Sequence, residues 1–127
     1  MQGKHLFEYA VVRVVPRVER EEFVNVGIIL YCQSQRFLKV LFHLNESKIN
    51  VICPDTDIAE LELYLKALEN ICTGSKEGGA IGVLPLASRF RWLTATRSSV
   101  IQSSKVHPGF CIDPEQTLLT LFEQMVL

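Results

Sequence analysis

Three apolar segments near the start of the chain have the pattern of β-strands. Residues 6–15 (LFEYAVVRVV) and 23–32 (FVNVGIILYC) are dense in β-branched and aromatic side chains, and the first of them stops at Pro16. Residues 37–44 (FLKVLFHL) follow the second segment after a short polar turn, QSQR. Such runs bounded by turn residues are typical of strands, and short links join antiparallel neighbours. The pattern predicts a three-stranded antiparallel meander.

Residues 58–73 have the periodicity of a helix. Asp57 stands at the N-cap position with Glu60 three residues further on, and Gly74 readily takes the left-handed conformation that ends a helix. Apolar side chains recur at intervals of three and four, which places them on one face. That face comprises Ile58, Leu61, Leu65, Leu68 and Cys72.

A second helix is predicted over residues 114–127. Asp113 is the N-cap, Pro114 suits the first helical position, and Gln116 completes a capping box. Its apolar face comprises Leu118, Leu119, Phe122, Met125 and Val126. Two apolar helical stripes need a common surface to cover, and the meander supplies one. We therefore expect an α+β fold, in which an antiparallel β-meander sheet packs against two helices.

The region between the two helices has weaker signals. Residues 80–86 (AIGVLPL) and 90–96 (FRWLTAT) are interpreted as short strands or extended loop. Residues 99–103 (SVIQS) are interpreted as an edge strand, and His107 falls in a loop because Pro108 and Gly109 follow it.

Length and composition indicate a single domain over residues 1–127. The chain is 48% hydrophobic and carries a net charge of -1, so the whole molecule does not attract polyanions strongly. The first residues are polar rather than signal-like, and no apolar run approaches the roughly 18 residues of a membrane helix. We expect a soluble, cytoplasmic protein that does not enter a membrane.

The cysteines and the common motifs give no sign of a cofactor or a metal. Cys32, Cys53, Cys72 and Cys111 form no C-x-x-C pair, and none has a basic residue or histidine within three positions. They are interpreted as reduced core hydrophobes. Phosphate-binding loops, dinucleotide fingerprints, zinc-protease motifs, nucleophile elbows and calcium loops are all absent from the sequence. We expect no cofactor and no bound metal, and the sequence leaves enzymatic activity open.

The first candidate binding segment lies at the start of the second predicted strand. Asn25 and Gly27 interrupt an apolar strand, and a strand glycine often marks a bulge or a close approach by a ligand or backbone. Arg17 and Arg20 precede them and could donate to an anion. In the alternative interpretation, Gly27 makes room for a packing aromatic side chain and Asn25 bonds the neighbouring loop.

The second candidate is a basic segment, residues 89–107. No acid occurs between residues 80 and 112, whereas residues 55–73 carry five acids. Arginine and hydroxyl side chains around Trp92 could hold a phosphate, a nucleic-acid strand or an acidic protein surface. The segment could equally pack beside the acidic helix of its own chain. Its candidate binding residues are Arg89, Arg91, Trp92, Arg97, Ser98 and His107, with Lys105 as a further cation.

His107 is also a candidate acid or base. A general base needs a carboxylate that positions its ring, and Asp113 is near in sequence but is already assigned as a helix cap. A structural or solvated histidine is the competing interpretation.

Several of these segments together resemble one family. Residues 9–17 (YAVVRVVPR), 20–27 (REEFVNVG) and 104–109 (SKVHPG) carry the likeness, as do the pairs Arg91-Trp92 and Arg97-Ser98 and the stretch from Asp113-Pro114 to LLTLF. They are similar to the bacterial domain-of-unknown-function family 3037, over almost the whole chain. Members of that family are often encoded beside HipA-like kinases, which implies a partner protein.

Three functional hypotheses remain. The first is a small binding or accessory module with a basic contact surface, partnering a HipA-like kinase. The second is a small enzyme acting on phosphate esters or nucleic acid, in which Arg97, Ser98 and His107 hold and protonate the substrate and Arg17 or Arg20 assists. The third is a homodimer that associates through a sheet edge. A pocket that joins His107 to a carboxylate would favour the enzyme.

Overall fold

The computed structural model describes residues 3–74, 76–95 and 99–127. Its central feature is an antiparallel sheet of five strands, in which β3, β2 and β1 lie side by side and β4 and β5 share the other edge of β1. The first three strands confirm the predicted meander. The strands are β1 (His5–Val14), β2 (Val24–Cys32), β3 (Phe37–Phe42), β4 (Ile101–Ser103) and β5 (His107–Cys111).

Five α-helices accompany the sheet in the described residues, and the protein is α+β. A short 3-10 turn, Val18–Arg20, lies in the charged connection between β1 and β2, and another, Lys76–Gly78, follows the second helix. The helices are α1 (Glu46–Ile52), α2 (Ile58–Thr73), α3 (Gly79–Gly82), α4 (Leu86–Leu93) and α5 (Pro114–Met125).

The two predicted helices begin at their predicted caps. The carboxylate of Asp57 accepts a hydrogen bond from the backbone N–H of Glu60 at 3.2 Å, and Gly74 ends α2 with φ at 73°. The carboxylate of Asp113 accepts from the N–H of Glu115 at 3.0 Å. Each cap satisfies a backbone donor that the first turn of a helix leaves free.

The predicted helices cover opposite faces of the sheet rather than a common one. α2 and α4 pack on one face, around a cluster that includes Val12, Ile29 and Leu65. α5 packs on the other face, where Leu118 meets a second cluster around Ile28. β1 and β2 place buried apolar side chains in the clusters on both faces of the sheet, so both faces need a cover. In α5, Leu121 packs on the sheet and Leu119 is exposed, which corrects the predicted apolar face.

Residues 80–86 and 90–93 are not strands or extended loop, as the sequence analysis expected, but lie mainly in α3 and α4. Phe90 and Leu93 are buried one helical turn apart, and Phe90 stacks on Tyr31 with ring centroids 5.1 Å apart. Burial of these side chains outweighs the weak local preference of the segment for an extended chain. The edge strand predicted at residues 99–103 is present as Ile101–Ser103.

Gly27 marks a close approach by the protein's own backbone. A Cβ at this position would lie 2.7 Å from the carbonyl oxygen of Leu41 on β3, well inside contact distance. The pairing of β1 with β2 also shifts register between Val12 and Arg13. Gly27 therefore allows β3 to lie close to β2. The nearest group is the backbone of Leu41 rather than an aromatic ring, although the Cβ of Phe42 would also lie 3.2 Å away.

No helix in the described part of the chain is both long and apolar enough to cross a membrane. All four cysteines are free thiols, and Cys32, Cys72 and Cys111 are buried.

Candidate functional site

An apolar groove lies between α2 and the segment that leads into β4. Its volume is about 460 Å³. Trp92 at the end of α4 is 39% exposed there, although indole rings are usually covered in a folded protein. The apolar walls are formed by Ala67, Leu68, Ile71, Trp92, Val100 and Ile101.

The helical spacing of α2 produces this groove. Tyr64, Ala67, Leu68 and Ile71 recur at three and four residues and so form one stripe along the helix. This stripe adjoins the one formed by Leu61, Leu65 and Cys72, which packs on the sheet. α2 therefore covers the core with one side and presents a second, partly exposed apolar side to the groove.

A smaller cavity of about 180 Å³ lies toward the start of α2, and Tyr64 and Val100 line both this cavity and the groove. The hydroxyl of Tyr64 donates to the Glu60 carboxylate at 3.1 Å, and this carboxylate raises the pKa of Tyr64. We call the groove and this smaller cavity together the α2 cleft, and we call the end formed by the smaller cavity its polar end. The polar end is lined by Cys53, Asp55, Thr56, Asp57 and Glu60, together with the apolar side chains of Pro16 and Leu61.

The Cys53 thiol at the polar end has an activating environment. The side chain of Thr56 lowers its pKa most, followed by the backbone of Asp55 and then by the guanidinium of Arg17. The Thr56 hydroxyl also donates to the backbone carbonyl of Cys53 at 2.9 Å, which holds this side chain beside the thiol. These groups stabilise the thiolate. Sequence reasoning missed Cys53 because Arg17 reaches it across the fold, not along the chain. The turn residues Thr56 and Asp55 close behind it were the only local signal.

Arg89, a predicted anion donor, is used inside the protein. Its guanidinium donates to the carbonyl oxygens of Ile71 at 2.9 Å and Cys72 at 2.8 Å, and also to Leu84 at 3.0 Å. The carbonyls of Ile71 and Cys72 belong to the last turn of α2, where helical acceptors lack partners. Arg89 therefore caps the acidic helix of its own chain, as the second interpretation of the basic segment expected.

Arg91 also has an internal partner. Its Nη2 lies 2.8 Å and 3.0 Å from the two carboxylate oxygens of Glu8 on β1. Of the other predicted residues in the basic segment, Trp92 lines the α2 cleft, whereas Arg97 and Ser98 lie outside the described residues.

Two serine hydroxyls of the basic segment also have partners within the chain. Ser104 is buried between β4 and β5, where its Oγ accepts from the N–H of Val11 at 2.8 Å. Ser103 donates to the carbonyl of Thr94 at 3.2 Å. These contacts fasten the segment to the sheet and to α4.

His107 lies in β5, not in a loop, and pairs with Tyr9 on β1. It is exposed, and its ring centroid lies 5.3 Å from that of Tyr9. Among residues 3–74, 76–95 and 99–127, no carboxylate forms an ion pair with it. The pairing of His107 with a carboxylate, which the enzyme hypothesis expected, is not formed among the described residues.

The residues of the first candidate segment do not converge on one site. Arg17 is exposed and lies beside Cys53, whereas Arg20 forms an ion pair with Glu22. Asn25 donates from Nδ2 to the carbonyl of Met125 at the end of α5, at 3.2 Å. Asn25 therefore bonds a neighbouring element of the fold, whereas Arg17 belongs with the α2 cleft.

Fold and site together define an α+β protein whose sheet is covered on both faces and which carries a surface cleft along one helix. The family model for a protein of unknown function (DUF3037) matches residues 9–126. The chain belongs to the DUF3037 family, and the resemblance found in the sequence is confirmed. No curated protein and no solved structure matches the chain.

Proposed function

We propose that this protein is a small binding module whose α2 cleft receives a segment of a partner protein. The observation that carries the proposal is the half-exposed Trp92 at an apolar groove of about 460 Å³. Tryptophan and tyrosine combine large apolar area with few rotatable bonds, so they bind partners at low entropic cost and dominate protein interfaces. Trp92 and Tyr64 both line the groove.

The proposal changes the contact surface expected from the sequence. Arg89 and Arg91 have partners within the chain, and among the described candidates of the basic segment Trp92 is the one that lines the α2 cleft. The contact is therefore mainly apolar and is centred on Trp92. A HipA-like kinase is the partner that the family resemblance implies, and it is the first protein to test.

The proposed module is favoured over an enzyme that acts on phosphate esters or nucleic acid. Such an enzyme would use free arginines to hold the phosphate and a positioned histidine to transfer a proton. The described arginines of the basic segment are paired internally, and His107 contacts Tyr9.

Site-specific photo-crosslinking in the native host tests the proposal. Ala67 lies in the α2 cleft, whereas Ala59 lies on another side of the same helix, in a groove against β3. Both alanines are exposed, so each tolerates replacement by p-benzoylphenylalanine. We expect one protein to crosslink at position 67 and not at position 59. Equal crosslinking at both positions, or none at position 67, would contradict the proposal.

A further inference from the structure

We propose that the protein forms a two-fold symmetric homodimer in which β5 of one copy pairs antiparallel with β5 of a second copy. Among the described strands β5 pairs with β1 alone, so its outer edge is open. That edge carries outward main-chain groups and exposed apolar side chains together. The interface lies outside the α2 cleft and does not rest on the proposed function.

The hydrogen-bonding pattern of β1 determines which main-chain groups of β5 point outward. The carbonyl of Val11 on β1 accepts from the N–H of Ser104 at 2.8 Å, so every second residue of β1 before Val11 also faces β5. Gly109 is therefore bonded to β1, whereas its neighbours Pro108 and Phe110 direct their main-chain groups outward. Pro108 has no N–H, so this orientation costs the sheet no hydrogen bond. The N–H and the carbonyl of Phe110 are free to bond another strand.

The side chains at the same edge are apolar and exposed. Phe110 is 67% exposed, its cross-strand neighbour Leu6 on β1 is 55% exposed, and Ile112 is exposed as well. Phe7 and Cys111 pack in the cluster under α5, so alternation places Leu6 and Phe110 on the opposite face of the sheet. Contiguous apolar side chains of this kind mark an interaction surface.

A two-fold axis at Phe110 makes this edge complementary to itself. With the two Phe110 residues opposite each other, they exchange both main-chain hydrogen bonds, and the N–H of Ile112 donates to the carbonyl of Pro108 in the second copy. The axis is perpendicular to the sheet, so both Phe110 rings lie on one face and extend the apolar row to Leu6 of each copy. Such a contact closes with two copies and covers the open edge.

Charges on the other face of the sheet match in the same register. His107 stands opposite Asp113 of the second copy, and Lys105 is the diagonal neighbour of that aspartate, within reach of a long side chain. All three side chains are exposed, and none forms an ion pair among the described residues. This charge complementarity favours a second copy of the chain over an unrelated strand.

Sedimentation equilibrium of the full chain tests the dimer. We expect a mass that rises with protein concentration toward twice the 14.4 kDa of one chain. Phe110→Lys places two lysines face to face across the axis and should raise the dissociation constant by about tenfold or more. The matched control is Val51→Lys on α1, where the native side chain is 86% exposed, and it should change the constant by less than about twofold.

Disulfide crosslinking tests the register, in a Cys53→Ala background that removes the partly exposed native thiol. Phe110→Cys brings two Cα atoms to about 5.5 Å, a separation that suits a disulfide, so mild oxidation should give a covalent dimer. Leu6→Cys lies one strand further from the axis in each copy and should give none. A monomeric wild type, an unchanged dissociation constant in Phe110→Lys, or no crosslinking at position 110 would overturn the inference.

Discussion

Arg89 shows at the residue scale why charge segregation in a sequence does not identify a binding surface. Its three hydrogen bonds go to backbone carbonyls, two of them in the last turn of α2. The carbonyl oxygens at the C-terminus of a helix carry partial negative charge, and this charge stabilises a nearby cation. The contrast between the basic segment and the acidic helix was visible in the sequence, but the acceptors of Arg89 were backbone groups that composition cannot reveal.

We expect Cys53 to be the first cysteine that reacts with iodoacetamide in the folded protein. Thr56, the backbone of Asp55 and Arg17 lower its pKa, whereas burial raises the pKa of Cys72 to about 12. Thiolate is the reacting form, so Cys53 should react at a lower pH than an ordinary thiol. Thr56→Val removes the largest cause and should move the pH midpoint of the reaction upward. Mass spectrometry over a pH series provides the measurement, and labelling of Cys53 no faster than Cys111 would contradict it.

We predict that Cys72 makes the folded protein less stable at alkaline pH. Its pKa rises from 9.0 to about 12 in the folded state because burial disfavours the thiolate. The thiol ionises at a lower pH in the unfolded state than in the folded state. Its contribution to the free energy of unfolding is therefore complete below pH 9 and is lost as the pH rises toward 12. The slope in this window is about 1.4 kcal/mol per pH unit. Urea unfolding of wild type and Cys72→Ala separates this thiol from other alkaline groups, and parallel curves for the two proteins would exclude the effect.

At the scale of single elements, α2 has a core side that can be tested against an exposed side. Leu65 is fully buried, whereas Leu63 on the same helix is 73% exposed. Leu65→Ala should lower the free energy of unfolding by about 2–5 kcal/mol, since it leaves a cavity. Leu63→Ala should change it by less than about 0.5 kcal/mol. Chemical denaturation measures the free energy of unfolding of both variants. A similar loss in the two variants would mean that the side of α2 assigned to the core is wrong.

The elements that were predicted correctly have strong local signals, and those that were missed do not. α2 and α5 have aspartate caps and regular apolar spacing, β1 and β2 have dense β-branched runs, and β3 is an apolar run that follows a short polar turn. α4 is short, and its Phe90 and Leu93 gain most of their stability from packing on the sheet. β5 contains Pro108 and Gly109, which resemble a turn, and it forms because it pairs with β1. The secondary structure of such segments depends on contacts between residues that are far apart in the chain, and these contacts cannot be read from a single sequence.

At the scale of the whole molecule, the two-sided sheet determines where a partner can bind. α2 and α4 cover one face and α5 covers the other. The groove of the α2 cleft is formed by α2, Trp92 of α4 and the residues that lead into β4, so it lies on the side of the molecule that α2 and α4 cover. Of the candidate residues, Trp92 and Arg17 come to the cleft or its polar end, and the sequence had assigned them to separate segments. The cleft itself could not be predicted, because it needs the packing of α2 against the segment before β4.

The central claim is tested most directly with a peptide that is selected from a phage-displayed library on the wild-type protein. Its affinity is measured for wild type, Ala67→Arg and Ala59→Arg. Both changes introduce the same side chain at an exposed position of α2, but only Ala67 lies in the α2 cleft. A charged side chain in the apolar groove should weaken binding by about tenfold or more, while Ala59→Arg stays within about twofold of wild type. Unfolding midpoints should match for all three proteins. Equal affinity of Ala67→Arg and wild type would contradict the account, as would an equal loss in Ala59→Arg.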